Sequence, residues 1–293
     1  MSLAIGCDIG ATHMRVALVD LARGRIVARR ERDSRVGEYR ETLSELAAEI
    51  IALRAQARGQ CPVGVAVAGQ LDAKRERVLL APNLRWSQAP LVRDLSKLLR
   101  APVRMENDVR AAARGEGGFG ALRGQHGTAF CVFWGSGVGG AIVLDGQVVP
   151  GALALAGEIG HLTYRAGGRA CPCGKRGCTE AYSGGHVLDR AARRLKLEDG
   201  AALSRAGRSG DARAKAALDL AQQAVGQLIG NLATALDPER VVLGGSIGTS
   251  LFNELAPFIT PHLLPARTRK LTLLRAKLGD DAGLFGAALL ASA

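Results

Sequence analysis

One short arrangement occurs twice in this chain, and it limits the fold more than any other feature. "LAIGCDIG" is an apolar run ending in glycine, "MRVALVD" beyond it alternates, and "RIVARRE" follows a turn at Gly24. Near residue 128 the arrangement restarts, with "TAFCVFW", the loop "GSGVGG", "AIVLDG" with its Asp-Gly turn, and the short run "QVVPG". After each set, helical and strand-like segments alternate. The repetition predicts an ancient duplication that gives two α/β halves with a cleft between them. No Pro- or Ser-rich linker separates them, so close packing is expected.

Periodicity places the rest. "YRETLSELAAEIIALRAQA" carries Leu43, Leu46, Ala47 and Ile50 at helical spacing. "PVGVAVAG" reads as a buried strand, and "APNLRW" as a loop with Pro82 and Asn83 as turn residues. A helix near 91–99 leads to the strand "PVRME", after which Asn107 and Asp108 open the helix "VRAAARGE". Residues 157–180 are cysteine-rich and irregular. A long helix is expected over about 211–236, then the strands "RVVLGG" and "LTLLRA" and a closing helix "AGLFGAALLAS".

Aromatic residues are only 4% of the 293, so the core must be built from Ala, Val, Leu and Ile. Lys and Arg number 39 against 27 Asp and Glu, a net charge of +12 that would attract anions. These cations are spread along the chain. The nearest cluster, Arg29, Arg30, Arg32 and Arg35, has no interleaved aromatics for stacking bases, so no nucleic-acid partner is expected. No apolar stretch approaches the roughly 20 residues that span a bilayer. The first strand begins almost at once, without a signal-peptide pattern, so no membrane partner and a cytoplasmic location are expected.

"GSGVGG", residues 135–140, formally matches the three-glycine dinucleotide fingerprint, but that fold needs a helix directly after the loop. Here a strand follows, which makes the loop a hairpin. A P-loop is also absent: Gly174 and Lys175 adjoin, but the spacing is off and Arg176 stands where Ser or Thr is required. "DIGATHMR" has the same hairpin setting. Two glycine hairpins can aim backbone N–H groups at phosphates. Asp8 can hold Mg²⁺ through water, with Thr12 and Arg15 adding donors.

His161, Cys171, Cys173 and Cys178 offer one imidazole and three thiolates, a preferred tetrahedral zinc shell. Four protein ligands leave no open position, so the zinc is expected to be structural. Gly174 and Gly177 let the backbone turn around it. Cys7, Cys61 and Cys131 stand singly in apolar runs and read as small buried residues. Asp108, at a helix start, reads from the residues alone as an N-cap.

The segment "EIGH", Glu158 to His161, followed by "CPCGKRGCTE", Cys171 to Glu180, resembles the motif of the ROK family. "DIGATHMR" and "GSGVGG" resemble the two phosphate motifs of the wider actin and hexokinase superfamily, and "VVLGGSIG" its adenosine motif; the resemblance runs from residue 3 to about 290. It implies a duplicated actin/hexokinase-like (ribonuclease H-like) α/β fold, two α/β domains flanking an active-site cleft. The smaller domain would hold 1–108 plus about 281–293, and the larger 109–280 with the zinc motif.

The same resemblance implies an ATP-dependent sugar kinase with Mg²⁺ and a structural Zn²⁺. Asp108 would be the base that takes the proton from the attacking sugar hydroxyl, and the two roles of Asp108 are compatible. Asn83, Asn107, Asp108, Glu158, His161 and Glu180 would hold the hexose. Asp8, Gly10, Thr12, Arg15, Gly135, Ser136, Gly137 and Gly139 would surround metal and phosphates, with Gly244 and Gly245 near adenosine. Ser136 keeps a hydroxyl where Thr is common; His13, Met14, Ser246 and Ile247 are less typical and bear on nucleotide preference. "APNLRW" and "GCTEAYSGG" look closer to glucokinases than to other ROK branches. Other hexose or N-acetylhexosamine kinases and a polyphosphate-dependent glucokinase are alternatives, and a non-catalytic sugar-sensing regulator is the different-class alternative. ROK repressors carry an extra N-terminal helix-turn-helix, which a chain starting at the first phosphate strand is expected to lack. The family suggests a homo-oligomer, dimer or tetramer.

Overall fold

The computed structural model describes residues 3–57, 61–266 and 270–292; the outermost positions of the expected first domain, 1–2 and 293, lie outside them. The chain divides into two compact units, Met1–His126 with Val143–Ala156 and Lys277–Ala293, and Gly127–Ile142 with Gly157–Ala276.

In the first unit β1 (Leu3–Ile9), β2 (His13–Asp20) and β3 (Arg25–Asp33) form an antiparallel meander. After helix α1 (Tyr39–Ala57), β4 (Val63–Val67) returns parallel to β1. Three short strands, β5 (Gln70–Leu71), β6 (Val78–Ala81) and β7 (Trp86–Ala89), pair antiparallel as a separate small sheet. Helix α2 (Leu91–Leu99), β8 (Val103–Asn107) and α3 (Asp108–Gly118) follow, and the main sheet runs β3-β2-β1-β4-β8.

The second sheet repeats the plan. It uses β9 (Thr128–Trp134), β10 (Val138–Leu144) and β11 (Gln147–Val148), then helices α4 (Glu180–Ser183), α5 (Gly185–Arg194), α6 (Gly200–Arg208) and α7 (Ala212–Leu236). Next come β12 (Arg240–Gly244), α8 (Ser246–Ser250), α9 (Ala256–Ile259), β13 (Thr272–Arg275) and α10 (Ala282–Ser292). Its order is β11-β10-β9-β12-β13, the same meander plus two parallel additions as in the first sheet. The repeated strand pattern in the sequence is thus a repeated topology.

Each sheet is covered according to its pattern. Leu46, Ile50 and Leu53 of α1 and Leu95 of α2 pack with Ile5, Val16 and Val65 in the first core, and Leu218, Val225 and Leu228 of α7 with Phe130, Val132 and Val241 in the second. Helix α10 is buried nearly all round, and it approaches its neighbours backbone to backbone. A Cβ on Gly6 would stand 2.0 Å from the Leu284 carbonyl oxygen, one on Gly64 1.9 Å from that of Ala287, and one on Gly286 1.7 Å from that of Ala111. A core with few aromatics is filled here by bringing main chains together.

Three expectations need correction. "APNLRW" is a 3₁₀ turn, Pro82–Leu84, followed by a left-handed Arg85 and then strand β7. Trp86 is drawn inward by edge-on packing with Tyr39, ring centroids 5.2 Å apart, and this starts the strand. The loop at 135–140 narrows to 135–137, because Val138, Gly139 and Gly140 already belong to β10. Residues 109–126, 143–156 and 277–280, expected in the larger domain, fall in the first unit. Helix α3 seats against α10, with a Cβ on Gly115 only 2.3 Å from the Ala282 carbonyl oxygen.

Candidate active site

In the first unit the strand-end residues gather at the carboxyl ends of β1 and β8. Asp8 and Arg15 are opposite one another across the β1–β2 hairpin. Gly10 N donates to His13 O at 3.0 Å and Ser34 Oγ to Gly10 O at 2.6 Å, closing a tight loop with Thr12 exposed at its tip. Arg15 Nη1 donates to Asp280 O at 3.2 Å, and its Nε lies 3.6 Å from Glu31. Burial pushes the Asp8 carboxyl up to about 7, and the charge of Asp108 adds to the rise. A carboxylate whose proton affinity is raised by burial and by a second carboxylate fits a hydrated divalent cation, which would relieve the repulsion.

Asp108 is not the helix cap. Asn107 caps α3, its Oδ1 accepting from Val109 N at 3.1 Å and Arg110 N at 3.2 Å. Its Nδ2 donates to Gly69 O at 3.2 Å and to Asp108 Oδ1 at 2.8 Å. Both acceptor and both donor positions of the Asn107 amide are therefore engaged, and Asn107 orients Asp108. Binding sugar directly would require Asn107 to give up one of these bonds. Asn83 sits exposed on the 3₁₀ turn.

Behind this pair lies a group the sequence reading missed. Glu106, 1% exposed, accepts from Arg110 Nε at 2.8 Å, Arg75 Nη1 at 3.0 Å and Asn107 N at 2.9 Å. Arg110, also 1% exposed, reaches Ala156 O through Nη1 at 3.3 Å. The sequence signal was available: Glu106 and Arg110 are four apart at a strand–helix junction, where a buried pair can form.

In the second unit the four expected metal donors come together. The ligand atoms of His161, Cys171, Cys173 and Cys178 all lie within 4.8 Å of one another. Cys171 Sγ is 3.7 Å from His161 Nδ1, and Cys173 Sγ is 3.7 Å from Cys178 Sγ. Bond lengths of about 2.0–2.3 Å at a tetrahedral zinc put its ligands about 3.5–3.8 Å apart, so the donor set fits. Gly174 and Gly177 both have positive φ, 90° and 83°, and Gly174 N donates to Cys171 O, turning the chain around the quartet. Burial first of all holds the Cys171 thiol up to about 12, so metal binding must release protons there. The single cysteines 7, 61 and 131 are buried.

The quartet is tied to the second glycine loop. His161 Nε2 lies 3.9 Å from Glu158 Oε2, on the ring edge away from the sulfurs. Glu180 Oε2 accepts from Val138 N at 2.9 Å, and a Cβ on Gly137 would stand 2.5 Å from that oxygen. Gly185 N, at the start of α5, donates to Gly135 O at 2.9 Å. Gly139 lies in β10, beyond the loop.

A cavity of about 280 Å³ opens beside this loop, bounded by Gly135 and Ser136, by Gly185 and Leu188, by Gly200 and Ser204, and by Ser246 and Ile247. Ser204 Oγ is buried there with no hydrogen-bond partner among the described residues. Gly244 and Gly245 pack closely against β9. Side chains there would strike Phe133, at 2.6 Å, and the Trp134 backbone, at 2.4 Å. Ser246 and Ile247 face the cavity instead. Helix α6, with Ser204, was not anticipated.

Two sheets of one topology, glycine hairpins after matching strands and a Cys₃His knuckle define an actin/hexokinase-like α/β protein. Residues 4–293 match the ROK family, and the chain belongs to it. A glucokinase of Thermotoga maritima is 30% identical, over 97% of this chain and 95% of its own. An N-acetylmannosamine kinase of Escherichia coli is 33% identical, over 98% and 97%. A ROK glucokinase from Streptomyces griseus, solved with glucose and AMPPNP, superposes with a TM-score of 0.84 at 29% identity, covering 99% of both chains. The protein is a sugar kinase. Among the described residues no helix is long and apolar enough to cross a membrane.

Proposed function

We propose that this kinase transfers the γ-phosphoryl group of ATP to glucose, with Asp108 accepting the proton of the attacking hydroxyl. The observation that carries the reading is the Asn107–Asp108 pair. Asn107 takes the cap, and its Nδ2 orients the Asp108 carboxylate at the head of α3, where it would serve as the base. The charge relation of Asp108 to Asp8 supports a Mg²⁺ close to the transferring phosphate, which neutralises charge developing there.

Glu158, Glu180 and His161 are proposed to bind sugar hydroxyls. His161 would hold zinc through Nδ1 and leave Nε2 for the sugar. The zinc is structural: it fixes the knuckle from which these side chains extend. The 280 Å³ cavity is proposed for adenine and ribose, with Ser204 Oγ as a polar contact and the Gly135–Gly137 loop at the phosphates. Asn83 is a further sugar contact. Similarity to the Thermotoga and Streptomyces glucokinases favours glucose, while similarity to the N-acetylmannosamine kinase at 33% favours an N-acetylhexosamine as the second reading.

Calorimetry on Asp108→Asn tests the base. Glucose affinity within about threefold of wild type, with kcat lower by about 10²–10⁴, is expected. Full activity in the variant would overturn the mechanism.

A further inference from the structure

Helix α5 has two working faces. Gly185, Leu188 and Asp189 line the 280 Å³ cavity already described. Val187, Arg190, Ala191 and Arg194 form a different stripe, and together with Arg169 they line a second cavity of about 340 Å³.

Three arginines line this space. Arg169 is held in direction: its backbone N donates to the Tyr182 hydroxyl at 2.9 Å, its Nη1 to Ala181 O at 3.4 Å, and its guanidinium lies 4.6 Å from the Tyr182 ring centroid. Arg190 and Arg194, one turn apart and exposed, have no ion pair among the described residues. Like charges one helical turn apart repel. A cavity walled by three such groups, and lined by no carboxylate, is complementary to a compact anion of high charge.

We propose that this cavity binds a polyvalent phosphate anion, at a site separate from the nucleotide cavity on the other face of α5. The planar fork of arginine suits phosphate oxygens, and several forks around one cavity favour a short phosphate chain over a single orthophosphate. Arg169 precedes Cys171 in the zinc knuckle, and α5 begins on the Gly135 loop, so the occupant sits on the two segments that frame the phosphate loop.

Titration calorimetry with inorganic tripolyphosphate at low salt, on wild type and on the pair Arg190→Glu/Arg194→Glu, tests the site. The side chains are exposed, and unchanged sugar kinase turnover in the variant shows that it is folded. Wild type is expected to bind tripolyphosphate more tightly than orthophosphate, with affinity falling as salt rises, and the variant to bind about tenfold or more weakly. Arg169→Ala is expected to weaken binding as well. Equal affinity in wild type and double variant would place the anion elsewhere, on the catalytic loops, and overturn the proposal. So would no binding by wild type. A change of sedimentation mass in the variant without a change in anion affinity would assign the arginines to contact with a second copy of the chain, and would also overturn it.

Discussion

Asn107 and Asp108 divide two tasks that a single residue at a helix start could have shared. The Asn107 side chain satisfies the first N–H groups of α3, and its Nδ2 donates to Asp108 Oδ1, the carboxylate proposed as the base. From the sequence both residues were visible, but which one caps was not. The choice depends on Asn107 carrying the extended backbone, φ −62° and ψ 145°, that a cap requires. Glu106 was passed over for the same reason, since its burial comes from sheet and helix packing. Replacing it as Glu106→Gln leaves the guanidiniums of Arg75 and Arg110 without their counter-charge. We expect a loss of about 3 kcal/mol in denaturant unfolding, because breaking a buried ion pair strands a charge. Turnover should fall while the response to Mg²⁺ concentration stays close to wild type, because Asp8 is untouched. A variant with wild-type stability and kcat would show that Glu106 does not support the Asp108 loop.

At the scale of elements, the Cys₃His knuckle was the most legible part of the chain. Its ligands are close in sequence, and a metal site of that kind needs only local turns, supplied by Gly174 and Gly177. The glycine hairpins were legible because strands flank them on both sides. Helices α4 to α6 were not, because they are short and rich in Ala, Gly and Arg, and their placement is decided by the Gly135 loop and α7. Cys173→Ser is expected to abolish stoichiometric zinc, measured by atomic emission on dialysed protein, and to lower the melting temperature. The same protein with a zinc ion still bound in each chain would reject the ligand set. Zinc affinity of wild type should fall as pH falls, since thiols held protonated by burial must give up protons to bind.

For the whole molecule, what the sequence could not announce is how closely α10 approaches the first sheet. The composition required a core of small aliphatic residues, but the seam of Gly6, Gly64 and Gly286 against main-chain carbonyls appears only when the last helix folds back on the first strands. That return also places α3 in the first unit, against the expected boundary at 109. Gly64→Ala puts a methyl group where the Ala287 carbonyl stands, and should cost about 3 kcal/mol in chemical unfolding, as overpacking of a rigid seam does. A near-neutral result would mean that the seam yields easily.

The central claim is that this ROK chain phosphorylates glucose with ATP, and steady-state ADP formation from Mg·ATP over a sugar panel tests it most directly. Zinc-loaded protein should show its highest kcat/KM with glucose, above N-acetylmannosamine and N-acetylglucosamine. Highest activity with an N-acetylhexosamine would contradict the sugar assignment, and no turnover with any sugar would contradict the ATP-dependent reaction itself.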